Sequence, residues 1–365
     1  MSLRDVRRHA GQLVMVGFGG HSVPREVAAL VREFDLGGAV LFARNVAGAE
    51  QVAELAFELR GLGPDLPLWV GVDQEGGRVA RLRTDFTRWP PMATLGRAGH
   101  GRQLATRFAT ALAGELAAVG ITIDFAPVLD VATNAANPVI GDRAISDRAD
   151  VVAELGCLII EALQAAGIAA CGKHFPGHGD TSVDSHHELP LVEHPPERLR
   201  EVELEPFRAA IKADVAAIMV GHLLVPALDE LRPGPLSPAI VTGLLRRELG
   251  FEGLIATDDM EMKAISAHRP VEDAAADAVA AGCDMVLICG TDHDLQARAI
   301  EGLIRAVEAE RVPIARVEDA LARQRRAKER FLAALPARPL AGSALRDRLA
   351  RAEAIAVAEE MAVWG

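Results

Sequence analysis

The sequence predicts an α/β protein whose core is a (β/α)8 barrel with extra C-terminal helices. Eight short apolar segments recur along the chain, and each is followed by a loop and then a helical pattern. Apolar segments that alternate with helices are typical of parallel strands buried on both faces. Eight such units in about 290 residues suit a closed barrel better than an open sheet. The predicted strands are Leu13–Phe18, Ala39–Phe42, Leu68–Val72, Ile121–Leu129, Ile168–Cys171, Ala216–Val220, Gly253–Ala256 and Met285–Ile288.

The connections between these segments differ in length according to their direction. Helix-to-strand connections are short and contain glycine, whereas four strand-to-helix connections are long. In a barrel, all strand-to-helix loops lie at the carboxyl-terminal face, where active sites form. The sequence therefore predicts a site at this face, built from the loops Gln74–His100, Val131–Asp147, Phe175–Pro196 and Leu223–Ser237.

The helical segments carry apolar residues at the spacing of one helix face. Leu104, Phe108, Leu112 and Leu116 form such a stripe before Gly120. After the eighth strand, the segments Ile314–Ala334 and Ala344–Val363 are also predicted to be helical. We therefore expect a single catalytic domain over residues 1–365, in which residues 311–365 are helices packed on the barrel.

Composition and charge narrow the possible partners. The net charge is −12 and the pI is about 5.4, which argues against nucleic acid or an anionic membrane as a partner. The N-terminal segment lacks the pattern of a signal peptide, and no apolar run approaches the ~18 residues that span a membrane. Four cysteines without CxxC spacing indicate buried thiols. We expect a cytoplasmic protein, and the sequence makes no prediction of its oligomeric state.

Titratable residues follow five of the predicted strands. They are densest in the segment Lys173–Pro190, which contains one lysine, four histidines, two aspartates and a glutamate. Any one of these residues could be structural, but several of them on one rim indicate a catalytic cavity. The strand-end residues are Asp73, Asp130, Lys173, His174, His222, Asp258 and Asp259.

Two kinds of hydrolase suit this set of residues. A metal-dependent barrel hydrolase needs several ligands on rigid elements, but the first strand ends in Gly17-Phe-Gly-Gly20 and supplies no histidine pair. A glycoside hydrolase needs a carboxylate nucleophile and a proton donor. Asp258 or Asp259 could be the nucleophile, and the tripeptide Asp184-Ser185-His186 could supply the donor.

Six motifs in the same order resemble the glycoside hydrolases of family 3, in the branch of bacterial β-N-acetylhexosaminidases that release N-acetylglucosamine from cell-wall fragments. The segment KHFPGHGDTSVDSH (173–186) resembles the signature of this branch. The other five are GVDQEGGRVARL (71–82), DFAPVLDV (124–131), NPVIGDRAIS (137–146), MVGHLLVPALD (219–229) and ATDDMEM (256–262).

The resemblance implies roles for individual residues. It also implies a reaction that needs neither a metal nor an organic cofactor. The nucleophile corresponds to Asp258, the histidine acid/base to His186, and the partner of that histidine to Asp184. The residues that correspond to sugar contacts are Asp73, Arg81, Arg143, Lys173 and His174. The implied partner is a small carbohydrate or muropeptide. A family 3 β-glucosidase of different sugar specificity and a metal-dependent barrel hydrolase remain the alternatives.

Overall fold

A computed structural model describes residues 1–63, 65–185, 187–333 and 338–365. Eight parallel strands close into a barrel, in which each strand pairs with the next along the chain and β8 pairs with β1. The predicted fold class is thereby confirmed. The strands are β1 (Val14–Val16), β2 (Gly38–Leu41), β3 (Trp69–Val72), β4 (Ile123–Asp124), β5 (Ala169–Phe175), β6 (Ala217–Val220), β7 (Leu254–Asp259) and β8 (Met285–Ile288).

Two strands differ from the predicted bounds in ways that affect the site. β4 ends at Asp124, several residues before the predicted end, and the segment that follows contains Pro127, which has no amide hydrogen to donate. The extended segment after β4 is still held to the barrel, since the amide of Leu129 donates to the carbonyl of Lys173 at 2.6 Å. β5 is longer than predicted and carries Lys173 and His174 within the strand itself.

Helices surround the barrel and also follow its last strand. They are α1 (Leu3–His9), α2 (Arg25–Phe34), α3 (Ala49–Gly61), α4 (Ala93–Arg97), α5 (Gly101–Ala118), α6 (Ala149–Ala165), α7 (Pro196–Arg198), α8 (Glu205–Lys212), α9 (Lys263–Ser266), α10 (Val271–Ala281), α11 (His293–Glu308), α12 (Ile314–Leu332), α13 (Gly342–Arg346) and α14 (Ala352–Ala362). Two π-helical segments, Leu199–Glu203 and Ala239–Glu248, complete the helical layer. None of the helices in the described part of the chain is long and apolar enough to cross a membrane.

The predicted last helix is two helices. Instead of one helix over residues 344–363, the structure has α13 and α14, separated by residues 347–351. The amide of Ala350 in this break donates to a carboxylate oxygen of Glu115 on α5 at 2.7 Å. The apolar pattern on both sides of the break is continuous, so the sequence alone did not reveal it.

The buried residues form one layer between strands and helices and a second cluster inside the barrel. The inner cluster includes Met15, Trp69 and Met219 from the strands and Phe331 from α12. The rings of Trp69 and Phe331 lie 6.5 Å apart, and the indole nitrogen of Trp69 donates to Gln324 at 3.0 Å. Helix α12 thus closes the amino-terminal end of the barrel. Whether residues 1–365 form a single domain remains a prediction.

A buried lysine fixes α12 to the amino-terminal end of the barrel. Lys328 is fully buried, and its ammonium donates to the amide oxygen of Gln12 at 2.8 Å. Gln12 in turn donates to Asp35 at 2.9 Å, and Asp35 also lies 2.8 Å from His9. Burial lowers the pKa of Lys328 to about 7, and the charge of Asp35 only partly opposes this effect.

We predict that Lys328 makes the stability of the protein rise with pH above neutrality. The unfolded chain retains the ordinary lysine pKa of 10.5, so between about pH 7 and pH 10.5 it holds a proton that the folded chain lacks. The free energy of unfolding should therefore gain up to about 1.4 kcal/mol per pH unit in this range. Urea unfolding between pH 7.5 and 9 should show this rise in the wild type and not in Lys328→Met. Lys212→Met, at an exposed lysine on α8, should keep the wild-type slope; equal slopes for all three proteins would contradict the assignment.

Candidate active site

Six of the eight predicted site residues line one cavity at the carboxyl-terminal end of the barrel. The cavity has a volume of about 160 Å³, and its apolar walls include Phe42, Phe125 and Met219. Charged and polar side chains line the remaining surface. The predicted residues that the structure brings together here are Asp73, Arg81, Arg143, Lys173, His174 and Asp258.

The other two predicted residues belong to the loop after β5. Asp184 is half-buried, and its carbonyl oxygen accepts the amides of His187 and Glu188. The next residue, Ser185, lines the cavity. His186, the predicted acid/base, lies outside the described residues, and so does its predicted pairing with Asp184.

Alternating acidic and basic side chains form a connected network of ion pairs along one wall of the cavity. The ammonium of Lys173 lies 2.8 Å from Asp73 and 2.7 Å from Glu75. Arg143 makes two bonds to the carboxylate of Glu75, at 2.8 and 2.9 Å, and Arg81 lies 3.2 Å from Asp73. Five side chains from three separate loops and strands are thereby fixed relative to one another. These side chains can be buried because each charge lies beside a charge of the opposite sign.

The ion pairs of this network keep its side chains ionised although they are buried. Burial alone would raise the pKa of Glu75, but Lys173 and Arg143 lower it far below its usual range. The pKa of Asp73 is also lowered, since Lys173 and Arg81 outweigh the effect of burial. The pKa values of Lys173 and Arg143 are raised by the same carboxylates in spite of burial. The wall therefore presents fixed charges across the neutral pH range.

Asp130 orients His174 at the end of β5. One carboxylate oxygen of Asp130 lies 2.7 Å from His174 Nδ1, and the other accepts the backbone amides of His174 and His178 at 3.2 and 2.7 Å. Burial would raise the pKa of Asp130, but His174 and the hydrogen bonds lower it. Because Asp130 is ionised, it accepts a hydrogen bond from Nδ1–H of His174, which leaves Nε2 as the ring nitrogen available to a ligand in the cavity.

His178 connects the end of β5 to the loop that carries Asp184. Its Nδ1 lies 2.7 Å from the hydroxyl of Thr181, and its Nε2 lies 3.2 Å from that of Ser185. Burial, followed by the charge of His174, lowers the pKa of His178 to about 4. The imidazole is therefore neutral at physiological pH and can accept from one hydroxyl while it donates to the other.

The first part of this loop is packed rather than free. Asn137 donates to the carbonyls of His178 and Gly179 at 2.8 and 3.1 Å. A Cβ on Gly179 would lie 1.7 Å from the carbonyl oxygen of Val131, so only glycine fits there. The loop after β4 thus holds residues 177–181, a contact that the polar and glycine-rich sequence of the segment did not suggest.

Asp258 and Asp259 stand side by side at the end of β7 but have opposite electrostatic environments. Asp258 accepts the amide of Asp259 at 2.8 Å; burial would raise its pKa, but His222 and His174 lower it. Asp259 accepts the amides of Glu261 and Cys289 at 3.1 and 3.0 Å, yet burial raises its pKa to about 7. Of the two candidates, Asp258 is thus the one that stays ionised across the neutral pH range, whereas Asp259 gains a proton near pH 7. His222 donates through Nε2 to the carbonyl of Asp259 at 2.8 Å, which ties β6 to this corner.

Comparison with known proteins places this site in a family. The model of the glycosyl hydrolase family 3 N-terminal domain matches residues 5–327. The beta-hexosaminidase A of Pseudoalteromonas piscicida is 39% identical over 286 residues, which cover 73% of this chain and 48% of that protein. The beta-hexosaminidase of Nitrosomonas eutropha is 41% identical over 259 residues, 70% of this chain and 74% of that protein. The chain belongs to glycosyl hydrolase family 3.

Solved structures of family 3 enzymes have the same fold. The family 3 β-N-acetylglucosaminidase from Paenibacillus sp. str. FPU-7 superposes with a TM-score of 0.94 at 40% identity, over 98% of this chain and 68% of that chain. NagZ from Neisseria gonorrhoeae, in complex with N-trifluoroacetyl-D-glucosamine, superposes with a TM-score of 0.79 at 30% identity, over 96% of this chain and 97% of that chain. The resemblance found in the sequence motifs is confirmed, and the chain is a glycoside hydrolase. It spans about half the length of the Pseudoalteromonas relative.

Glu75 is the residue of this family 3 site that the sequence did not identify. The Gly76-Gly77 pair beside it is typical of a turn, and a short hairpin is present over Gln74–Gly76 and Val79–Ala80. The side chain of Glu75 nevertheless points into the barrel rim, where it is 2% exposed. Its position two residues after Asp73, directly after the apolar strand β3, was the available signal. Glu75 is the common partner of Lys173 and Arg143.

We predict that Glu75→Gln destabilises this family 3 chain more than Asp73→Asn does. Each change removes a negative charge beside Lys173, but Glu75 also accepts hydrogen bonds from two nitrogens of Arg143 and is 2% exposed, against 17% for Asp73. A buried ion pair that loses one partner costs about 3–5 kcal/mol, because the remaining charge stays buried. Urea unfolding at pH 7 should therefore show a loss of about 3 kcal/mol for Glu75→Gln. A loss equal to or below that of Asp73→Asn would show that Glu75 does not hold the chain of charges together.

Proposed function

We propose that the protein is a retaining, exo-acting β-N-acetylhexosaminidase that removes terminal, non-reducing β-N-acetylglucosamine. The observation that supports this most directly is that the carboxylate of Asp258, whose pKa is lowered, lines the same cavity as the ion-paired side chains of Asp73, Arg81, Arg143 and Lys173. The names of the relatives support the choice of sugar, since both relatives above are named beta-hexosaminidases. The Paenibacillus structure is of a β-N-acetylglucosaminidase, and the Neisseria structure contains N-trifluoroacetyl-D-glucosamine.

The size and the polarity of the cavity suit a single terminal sugar. A volume of about 160 Å³ is below the ~300–1,000 Å³ that is usual for ligand cavities, so we assign the cavity to one terminal sugar and not to a longer chain. In this proposal, Asp73, Arg81, Arg143, Lys173 and His174 bind the hydroxyl groups of that ring. Because their charged atoms are already fixed by Glu75 and Asp130, little side-chain entropy is lost when the sugar binds.

In the first proposed step, Asp258 displaces the leaving group. Its carboxylate oxygen attacks the anomeric carbon while the bond from that carbon to the glycosidic oxygen breaks. His186 gives its proton to the departing oxygen, and Asp184 stabilises the protonated imidazole before the transfer. The product of this step is a covalent glycosyl-enzyme on Asp258, with inverted configuration at the anomeric carbon.

In the second proposed step, water releases the sugar. His186, now neutral, takes a proton from a water molecule, whose oxygen attacks the anomeric carbon as the bond to Asp258 breaks. The second inversion restores the β configuration. Asp258 returns as a carboxylate and His186 returns as the protonated acid, so the enzyme is ready for another cycle.

We further propose that the natural substrates are peptidoglycan-derived fragments and that the protein acts in the cytoplasm. The similarity to NagZ supports this role, as does the state of the thiols. All four cysteines lie in the described part of the chain, three of them are buried, and none forms a disulfide. Free buried thiols are typical of proteins in a reducing compartment.

The assignment of the nucleophile predicts where a slow substrate attaches. A fluorinated substrate analogue that slows release of the sugar should label Asp258, which peptide mass spectrometry would locate. Asp258→Asn should lower kcat by at least about 10⁴-fold, because loss of a covalent nucleophile can cost about 10⁶-fold in other enzymes. Asp259→Asn changes the neighbouring carboxyl in the same way and should cost much less. Covalent attachment at any other residue would refute the assignment.

The assignment of the proton donor predicts a dependence on the leaving group. His186→Ala should reduce kcat/KM for N,N′-diacetylchitobiose by at least about 100-fold, because its alkoxide leaving group needs a proton. Hydrolysis of 4-nitrophenyl N-acetylglucosaminide releases 4-nitrophenolate, a stable anion that needs no proton to depart. Its kcat/KM should therefore fall much less. His187→Ala is the matched control beside it and should be close to the wild type on both substrates. Equal losses on the two substrates in His186→Ala would mean that another group is the donor.

Comparison of two aryl glycosides tests the choice of sugar. Under this proposal, 4-nitrophenyl N-acetylglucosaminide is hydrolysed with a much higher kcat/KM than 4-nitrophenyl glucoside. A preference for the glucoside would instead identify a family 3 β-glucosidase.

A further inference from the structure

Arg44 joins the ends of three strands and lies behind the wall of the sugar cavity. It follows β2, and its Nε donates to the carbonyl of Phe18, after β1, at 2.8 Å. Its Nη2 donates to the carbonyl of Cys289, the first residue after β8. The guanidinium also lies 4.4 Å from the ring centre of Phe42, which lines the cavity. Arg44 has no part in the two proposed chemical steps.

The peptide group between Cys289 and Gly290 is bound at both ends by side chains of opposite charge. Its carbonyl accepts from the guanidinium of Arg44, and its N–H donates to a carboxylate oxygen of Glu261. The positive charge lies at the negative end of the peptide dipole, and the negative charge lies at its positive end. Both hydrogen bonds are therefore charge-assisted, and they hold this peptide group more firmly than ordinary backbone hydrogen bonds would.

Two glycines make room for this arrangement. A Cβ on Gly17 would lie 2.0 Å from the carbonyl oxygen of Cys289 and 2.7 Å from Nη2 of Arg44. A Cβ on Gly290 would lie 2.3 Å from a carboxylate oxygen of Glu261. A side chain at either position would displace one of the two charged groups. The glycines after β1 and β8 are thus explained by the approach of both charged groups to one peptide group.

The neighbouring backbone connects this pair to the proposed nucleophile. The amide of Cys289 donates to Oδ1 of Asp259 at 3.0 Å, and the amide of Asp259 donates to Oδ1 of Asp258 at 2.8 Å. The amide of Glu261 also donates to Oδ1 of Asp259, at 3.1 Å. Glu261 therefore holds the end of β7 through its backbone and the end of β8 through its side chain. A series of contacts thus leads from Arg44 to the carboxylate of Asp258.

The position of Asp258 relative to a bound sugar depends on how the end of β7 is fixed. The proposed sugar-binding residues lie at the end of β5 and in the segments after β3 and β4, whereas Asp258 lies on β7. Contacts between β7 and its neighbours in the barrel must therefore set the distance from the carboxylate to the anomeric carbon. Misplacement of reacting atoms by about 1 Å can lower a rate by about 100-fold.

We propose that Arg44 and Glu261 are positioning residues, which hold the peptide group between Cys289 and Gly290 from its two ends and thereby fix Asp258 relative to the bound sugar. The inference rests on the proposed role of Asp258 as the nucleophile. Because both residues act through the backbone and not on the substrate, their loss lowers kcat and leaves KM almost unchanged.

Arg44→Lys tests this inference with a change that keeps the positive charge. An ammonium lacks the planar fork of a guanidinium and cannot donate to the carbonyls of Phe18 and Cys289 in the same geometry. For 4-nitrophenyl N-acetylglucosaminide, kcat should fall at least about tenfold while KM stays within about threefold of the wild type. Arg88→Lys, at an exposed arginine of the loop after β3, is the matched control and should keep both wild-type values. A smaller fall in kcat, or a larger change in KM, would overturn the inference.

Glu261→Gln tests the other end of the same peptide group. It removes the negative charge and keeps the shape of the side chain, and kcat should again fall while KM is retained. Since both residues act on one peptide group, the double variant Arg44→Lys/Glu261→Gln should lose less in kcat than the product of the two single losses. Losses that multiply fully would show that the two residues act independently, against the inference.

Hydrogen exchange at the Cys289 amide tests the inference without a substrate. The chain has four cysteines, so ¹⁵N-cysteine labelling gives four amide signals, and Cys289→Ala identifies that of Cys289. In Arg44→Lys this amide should exchange at least about tenfold faster, as expected for loss of one charge-assisted hydrogen bond. The amide of Cys171, within β5, should keep its wild-type rate. An equal acceleration at Cys171 would mean that Arg44 supports the whole fold and not the end of β8.

These measurements distinguish failure of this inference from failure of the proposed function. If N-acetylglucosaminides are hydrolysed and Arg44→Lys has the wild-type kcat, the glycosidase is supported and the inference fails. If no N-acetylglucosaminide is hydrolysed, the proposed function fails. Exchange at the Cys289 amide then decides by itself whether Arg44 holds the end of β8, and equal rates in wild type and Arg44→Lys would refute it.

Discussion

The active-site face of this protein depends on the compensation of buried charge. Lys173 is almost fully buried at the end of β5, and an uncompensated ammonium in that place would cost several kcal/mol. Asp73 and Glu75 on the neighbouring segment supply the opposite charges, and Arg143 balances the second carboxylate. The loops after β3 and β4 are thus held against β5 by the same groups that form the wall of the cavity. Stability and binding geometry therefore share one set of interactions.

The same arrangement explains how carboxyl groups of one site can have different protonation states. Asp73, Glu75, Asp130 and Asp258 are held ionised by neighbouring cations or histidines although each is buried. At Asp259 the effect of burial outweighs the hydrogen bonds from Glu261 and Cys289, and the pKa rises to about 7. Adjacent positions in one strand can differ in this way because successive side chains face different surroundings.

Much of the site could be predicted because its residues follow strand ends. Titratable residues after parallel strands converge on one face, so Asp73, Lys173, His174 and Asp258 were found from position and motif together. Glu75 was missed because the adjacent glycines indicated a turn, and only the contacts with Lys173 and Arg143 show what its side chain does. The hydrogen bonds from Asn137 to the loop after β5 were not predicted either. They join segments that are 41 and 42 residues apart in the chain.

The sequence by itself determined the barrel, the face of the site, the family and six residues that meet in one cavity, because periodicity and motif order are local properties. The tertiary structure decided the rest. It showed that β4 ends early and that the last helix is broken at residues 347–351, and it distinguished the ionised Asp258 from Asp259. These features depend on distances between segments that are far apart in the chain, and no local pattern of residues encodes such distances.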